Sequence, residues 1–336
     1  MIAQDSFFGV SMEKIWNLPL IEYIPFQEIE DNRPLLLITS APAWDAVSDR
    51  LSHLPIKTRL EPSEATQTHW DGLLSGLQSE AGSPELAAVY AVGGGLAADA
   101  AKYITVKLDL PLICLPTALS VDAFVTSASG IRRDGCVYYI ETTVPETVIV
   151  DLEVIANAPT GIRAAGICDV LSIYTGLWDW KFADEKGQNP PNMAYQPWVA
   201  QAAEAILQGA LDCAEAAGNG RPDGLKQLLD CLALEVQLCN QIGHSRPEEG
   251  SEHYFAYLAE NYLGHGLPHG DLVGPGILII SEKQRQATGA IRQALNACHI
   301  PLDNISSEII ERTLVELAPY SLKHNLPFGL AHVLTG

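Results

Sequence analysis

The 336-residue sequence predicts an α/β N-terminal Rossmann-like domain over residues 1–160 and an all-α C-terminal domain over residues 161–336. Three observations carry that expectation. Up to about residue 150, short apolar runs alternate with helical stretches, the pattern of a parallel sheet covered on both faces. One of those runs stops at Gly93-Gly94-Gly95 and opens directly into a helix-forming stretch. Beyond residue 160 no alternating β-branched run of strand length occurs, and long helix-compatible segments follow one another.

In chain order, residues 35–39 (LLLIT) read as a buried strand, 43–54 as a helix and 87–92 (AAVYAV) as a second strand. Residues 96–108 read as a helix, and 111–115 (PLICL), 137–142 and 147–150 (TVIV) as further strands. Helices are expected over 161–183, 198–217, 224–242, 251–263, 270–281, 284–297 and 307–317. The breakers between them are Asn189-Pro190-Pro191 and the glycine-bearing stretch 218–224.

Composition narrows the function classes. Twenty basic and 41 acidic residues give a formal charge of −21, which argues against nucleic acid and anionic membrane surfaces as partners. An anionic ligand would need local basic groups or backbone amides to overcome that field. A 47% apolar content over this length supplies a core without disulfide or metal staples. The odd set of seven cysteines (Cys114, Cys136, Cys168, Cys213, Cys231, Cys239 and Cys298) contains no CxxC and reads as free thiols in a reducing, cytoplasmic setting. The first sixteen residues lack an apolar signal core, and no run approaches a membrane span. A homo-oligomer is compatible with the sequence.

The chemistry begins at Val92-Gly93-Gly94-Gly95-Leu96-Ala97-Ala98. Glycines let backbone N–H groups approach a ligand, and the helix they open presents unpaired N–H groups and a positive dipole end to a pyrophosphate. The pattern is not GxGxxG, and a ligand-free βα turn would also use it. A second loop, Leu115 to Asp122, offers Thr117 and Ser120 at the carboxyl edge of the inferred sheet, where open α/β sheets bind ligands. Caps and turns favour those residue types as well.

Asp169 lies in an apolar helical stretch, AAGICDVLS, where a carboxylate needs a partner. His253 and His269 stand in SRPEEGSEHYF and HGLPHGD. One carboxylate and two imidazoles suit a borderline-soft divalent ion with a position open for substrate, Zn²⁺ first, Fe²⁺ or another ion second. Spacing alone does not select this set. His244, His265, His299, His324 and His332 illustrate the surface or hydrogen-bonded core alternative.

At these residues the sequence resembles the glycerol-1-phosphate dehydrogenases, which share a superfamily with iron-containing alcohol dehydrogenases, glycerol dehydrogenases and 3-dehydroquinate synthases. The matching stretches are GGGLAADAAK, LPTALSVDAFVTSAS, AAGICDVLSIYTGLWDWK, SRPEEGSEHYF and HGLPHGDLVGPG, in order between about residues 35 and 280. The resemblance implies a dehydroquinate-synthase-like fold, with Asp169, His253 and His269 as metal ligands. It implies that Gly93 to Ala98, Thr117 and Ser120 hold NAD or NADP, and that Thr126 stands beside the nicotinamide. Asp122 would join the three ligands as the catalytic set, and Asp122, Asp169 and Tyr257 would face the substrate. That substrate would be a small polyol or polyol phosphate, oxidised by hydride transfer while the metal stabilises the alkoxide.

The sequence departs from the family in places. Tyr257 stands where a second histidine is usual, Glu248 and Glu249 replace small residues, and Asp271 adds an acid after the last ligand. Arg163, Lys181 and Arg246 are the candidate phosphate cations by motif proximity. The competing readings are an unphosphorylated polyol or alcohol dehydrogenase, a sugar-phosphate cyclase, and a binding protein that kept the fold without the activity.

Overall fold

The computed structural model describes residues 17–79, 85–264 and 266–334. The signal-peptide reading of residues 1–16 and the histidine at 265 lie outside them. Six parallel strands form the sheet, in the order β1-β8-β5-β4-β2-β3. They are β1 (Leu20–Tyr23), β2 (Leu35–Thr39), β3 (Ile56–Leu60), β4 (Ala88–Gly93), β5 (Leu112–Pro116) and β8 (Thr147–Val150). The short edge strands β1 and β3 are additions to the predicted set. Helices α1 (Ala41–Leu51), α2 (Gln67–Ser79) and α3 (Gly95–Leu108) make the early crossovers.

All five residues of β2 are buried because its two side-chain sets enter different cores. Leu35 and Leu37 pack with Val47 and Leu51 of α1. Leu36 and Ile38 belong to the larger cluster that continues into the helical half. This is why LLLIT and AAVYAV are unbroken apolar runs rather than alternating ones.

The segment expected as one more strand near 137–142 forms β7 (Cys136–Glu141) and leaves the parallel sheet. It pairs antiparallel with β6 (Ala128–Arg133) as a separate two-stranded ribbon. The reason is the two-residue turn Asp134-Gly135, with φ of 53° and 76°. Two successive positive φ values match the right-handed twist of a tight hairpin, and Asp-Gly supplies them at low cost.

Among the described residues ten helices follow β8: α4 (Leu152–Ala156), α5 (Thr160–Arg163), α6 (Ile167–Leu171), α7 (Ile173–Glu185), α8 (Pro197–Gly218), α9 (Pro222–Ile242), α10 (Ser251–Leu263), α11 (His269–Lys283), α12 (Gly289–Ala297) and α13 (Ser307–Lys323). The single helix expected over 161–183 is instead three pieces. The Gly166 N–H bonds the Leu119 carbonyl at 2.7 Å, drawing the chain out of register between α5 and α6. At the next junction, Ser172 returns its hydroxyl to the Cys168 carbonyl at 2.8 Å, a bond that bends helices. The helix expected over 284–297 starts only at Gly289, after Arg285 takes a positive φ of 60°.

All seven cysteines are free, and six are buried. Among the described residues no helix is long and apolar enough to cross a membrane.

Candidate active site

Asp169, His253 and His269 come from α6, the start of α10 and the first residue of α11. Their ligand atoms all lie within 4.8 Å of one another. His269 Nε2 is 3.1 Å from Asp169 Oδ1, and the two imidazole centroids are 5.3 Å apart. Asp169 Oδ2 accepts the Asp122 N–H at 3.0 Å. Its Oδ1 is buried with no hydrogen-bond partner among the described residues. A buried carboxylate oxygen left without a hydrogen bond is costly unless something else satisfies it.

His253 is oriented from behind. Its Nδ1 lies 2.9 Å from Glu252 Oε1, which also accepts the Gly250 N–H at 2.7 Å. With Nδ1 engaged, Nε2 is the nitrogen left to ligate. Burial would lower the His253 pKa, but the hydrogen bond and charge of Glu252, followed by Glu249 and Asp169, raise it to about 9. A cluster that draws a proton onto an imidazole in this way is one a divalent cation can occupy instead. The donors, one buried carboxylate oxygen that makes no hydrogen bond and two imidazole nitrogens, fit Zn²⁺ or Fe²⁺.

The glycine turn lies beside this cluster. Gly93 ends β4 with a φ of +142°, and Gly94 is the extended N-cap of α3. A Cβ on Gly94 would stand 3.0 Å from Ser120 Oγ, and one on Gly95 would stand 2.9 Å from Val121 Cγ2. The turn and the 117–122 loop therefore approach as closely as glycine allows. On the far side of the same loop, a Cβ at Gly166 would sit 3.0 Å from the Leu119 carbonyl oxygen. Together with the Asp122–Asp169 bond, this locks the loop to the helix bearing the carboxylate.

Between the sheet and the helical half lies a cavity of about 930 Å³. Gly95, Leu96, Ser120, Asp122, Thr126, Asp169, Tyr257 and His269 line it. Gly93, Gly94, Ala97, Ala98, Thr117 and His253 are not in its wall. Ala97 and Ala98 are buried behind the turn, and Thr117 donates its N–H to the Gly93 carbonyl at 3.3 Å.

Residues 29–159 match the family model described as iron-containing alcohol dehydrogenase. A glycerol-1-phosphate dehydrogenase [NAD(P)+] of Methanothrix thermoacetophila is 30% identical over 225 residues, 67% of this chain and 62% of that protein. The chain thus spans about three fifths of that relative's length. The enzyme of the same name from Sulfurisphaera tokodaii is 25% identical over 317 residues, 90% of this chain and 89% of that one. The chain is a relative of the glycerol-1-phosphate dehydrogenases. Its fold is that of the iron-containing alcohol dehydrogenases, one of which, from Corynebacterium glutamicum, superposes with a TM-score of 0.64 at 16% identity, covering 95% of this chain and 92% of that one. Sulfoacetaldehyde reductase from Bifidobacterium kashiwanohense, solved with NAD+, superposes with a TM-score of 0.66 at 18% identity, covering 96% and 98%.

In this relative of the glycerol-1-phosphate dehydrogenases, Tyr257, Glu248 and Glu249, three of the four departures noted in the sequence, stand in the cavity wall. The Tyr257 hydroxyl donates to Glu249 Oε1 at 2.7 Å and meets the Tyr139 hydroxyl at 3.1 Å, while Ser245 Oγ donates to Glu249 Oε2 at 2.9 Å. Glu248 also lines the cavity, and Asp271 does not. Burial first, then the Asp169 charge, pushes the Asp122 carboxyl up to about 7. Glu235 is 1% exposed, and both of its oxygens lack a partner among the described residues. Burial and the neighbouring Glu248 raise its pKa well above the usual range.

The three expected phosphate cations are elsewhere, since proximity in sequence did not become proximity in space. Arg163 caps helix ends through the Gly218 and Ala158 carbonyls, both at 3.1 Å. Lys181 is exposed on α7, and Arg246 is buried against the Phe328 carbonyl at 2.8 Å. None of the three lines the cavity. Arg132 of β6 is the one arginine or lysine in the wall among the described residues, and Glu260 pairs with it at 3.0 Å. Thr126 Oγ1 accepts from the fully buried Lys102 Nζ at 2.8 Å, and that ammonium is also paired with Asp99 at 3.0 Å. Sequence reasoning missed Glu252, Tyr139 and Glu235. For Glu252, adjacency to a candidate ligand was the available signal.

Proposed function

We propose that the protein is a divalent-metal-dependent, NAD(P)-linked oxidoreductase that interconverts a small polyol of the glycerol 1-phosphate kind and its dihydroxyacetone phosphate-like ketone. The observation that carries this reading is the convergence of Asp169, His253 and His269, with Asp169 Oδ1 buried, close to His269 and without a hydrogen bond, beside the Gly94–Gly95 turn. Asp169, His253 and His269 would hold the ion, Zn²⁺ by preference and Fe²⁺ as the alternative. When bound, the ion would supply Lewis-acid stabilisation of charge on the substrate oxygen, and the nicotinamide would supply the hydride chemistry.

The chain's own residues do the rest. At the start of α3, Gly95 and Leu96, with Ser120, face the cavity and would present backbone and hydroxyl donors to the dinucleotide, while Gly93, Gly94, Ala97, Ala98 and Thr117 shape the turn behind them. Lys102 and Thr126 fix the floor of the nicotinamide end. Asp122, held by its own N–H on Asp169, orients a substrate hydroxyl, and Tyr257 faces the substrate from α10. Residues 1–160 would serve the cofactor and 161–336 the metal and substrate. The free thiols support a cytoplasmic setting.

The test is NAD(P)H oxidation with dihydroxyacetone phosphate, followed at 340 nm. Chelation should abolish it, added Zn²⁺ should restore it, and His269→Ala should remove it. Full activity in His269→Ala would refute the site.

A second reading, an unphosphorylated polyol as substrate, is favoured by one observation: Glu248, Glu249 and Asp122 line the cavity, while Arg132, its one arginine among the described residues, is paired. Phosphate is disfavoured in a wall where acidic groups outnumber unpaired cations. Glycerol turned over in place of dihydroxyacetone phosphate and glycerol 1-phosphate would establish that second reading.

A further inference from the structure

Asp179, in the middle of α7, is fully buried and lies outside the cavity wall. Four donors converge on its two oxygens. Oδ2 accepts the Ser251 N–H at 2.7 Å and the Ser251 hydroxyl. Oδ1 accepts the Leu330 N–H at 2.9 Å and the Gln284 amide at 3.1 Å. A carboxylate can accept all four at once, whereas an amide presents one oxygen and a pair of hydrogens.

Those donors belong to the segments that deliver the ligands. Ser251 opens α10 two residues before His253, and its hydroxyl also receives the Ala331 N–H at 2.8 Å. Gln284 caps the far end of α11, the helix that His269 begins. Asp179 itself stands ten residues after Asp169, across the Ser172 junction. The surroundings are packed to match. A Cβ at Gly250 would meet Asp179 Oδ2 at 2.8 Å, and one at Gly329 would run into the same oxygen. Gly176, on the same helix, lets the Pro247 carbonyl come within 3.1 Å of where its Cβ would be.

We propose that Asp179 is the positioning residue of the metal centre: one carboxylate sets the placement of α7, α10 and α11 relative to one another, and the chain around Leu330 closes the arrangement. The inference rests on the metal-centre reading above. It gives Asp179 no contact with metal, cofactor or substrate, so its removal should act on metal affinity through the placement of His253.

The experiment titrates metal-free wild type and Asp179→Asn with Co²⁺, read by its visible ligand-field spectrum, and with Zn²⁺ by chelator competition. Metal-free thermal unfolding is recorded in parallel. Partners outside the ligand set hold metal affinity to within about 10–100-fold, and a loss in that range is expected, with an altered Co²⁺ spectrum. Leu228→Ala, a core truncation in α9, serves as control. It should lower the unfolding temperature yet keep wild-type affinity and spectrum.

Wild-type affinity and spectrum in Asp179→Asn would overturn the inference. If Asp179→Asn does not fold, Ser251→Ala and Gln284→Ala each remove one donor and should each weaken Zn²⁺ binding severalfold. Unchanged binding in both also overturns it. Wild type that takes up neither ion would fell the metal-centre reading itself, a distinguishable result.

Discussion

Replacing Glu252 with glutamine tests how the centre is assembled. Glu252 is fully buried, and its Oε1 serves both His253 Nδ1 at 2.9 Å and the Gly250 N–H at 2.7 Å. Its Oε2 is buried without a partner among the described residues. A glutamine can keep Oε1 in place and put its amide nitrogen where Oε2 stood, so the geometry survives and the charge goes. A hydrogen bond to a charged group contributes about 1.5–3 kcal/mol, against roughly 1 kcal/mol for a neutral one. The difference of about 0.5–2 kcal/mol corresponds to about 2–30-fold in an equilibrium constant.

Glu252→Gln should therefore weaken Zn²⁺ binding by about tenfold, and Glu252→Ala, which removes both bonds, by about a hundredfold. Competition with a chromophoric chelator measures both, with thermal unfolding of the metal-free proteins as control. Binding within twofold of wild type in both variants would refute the idea that Glu252 orients and polarises His253.

Other perturbations report on the neighbouring structure. Gly95→Val places a side chain against Val121 Cγ2, which a Cβ alone would already approach to 2.9 Å. NAD(P)H affinity by fluorescence titration should fall at least tenfold, with Zn²⁺ affinity unchanged. Gly135→Ala forces a φ of 76° on alanine and sets a Cβ 2.8 Å from Asn261 Nδ2, so chemical denaturation should show a loss of about 1–2 kcal/mol. His244 is buried, and burial, then the Arg246 charge, lowers its pKa to about 4. The unfolded chain takes up the proton first as pH falls, so the stability from this group is complete above about 6.5 and is lost between about 6.5 and 4. His244→Leu should flatten that part of the stability–pH curve, by roughly 3 kcal/mol at most.

Legibility in the sequence followed burial. β2 and β4 are covered on both faces, so their apolar runs stand out, and the triple glycine marks the turn after β4. The edge strands LIEY and IKTRL are short and half exposed, and they carry no such signal. Asp134-Gly135 is a hairpin signal in plain view, but taken alone residues 137–142 look like one more strand of the main sheet. The breaks around Gly166 and Ser172 depend on a contact with Leu119 and on a local hydroxyl bond, one of them tertiary and neither visible as periodicity.

At the site, five motifs in order pointed to Asp169, His253 and His269, and the structure brings these three together. The phosphate cations failed because Arg163, Lys181 and Arg246 neighbour the motifs in sequence while their side chains point to helix ends, solvent and the C-terminal segment. Glu252 is a sequence neighbour of His253, whereas Asp179 meets its donors only through packing of segments far apart in the chain.

The most direct measurement is an anomalous difference map at the zinc edge from crystals of the Zn²⁺-loaded protein. One peak is predicted at about 2.0–2.2 Å from an oxygen of Asp169 and a ring nitrogen each of His253 and His269. A zinc-loaded protein with no peak there, or with its zinc bound by other side chains, would contradict the metal centre and the oxidoreductase reading with it.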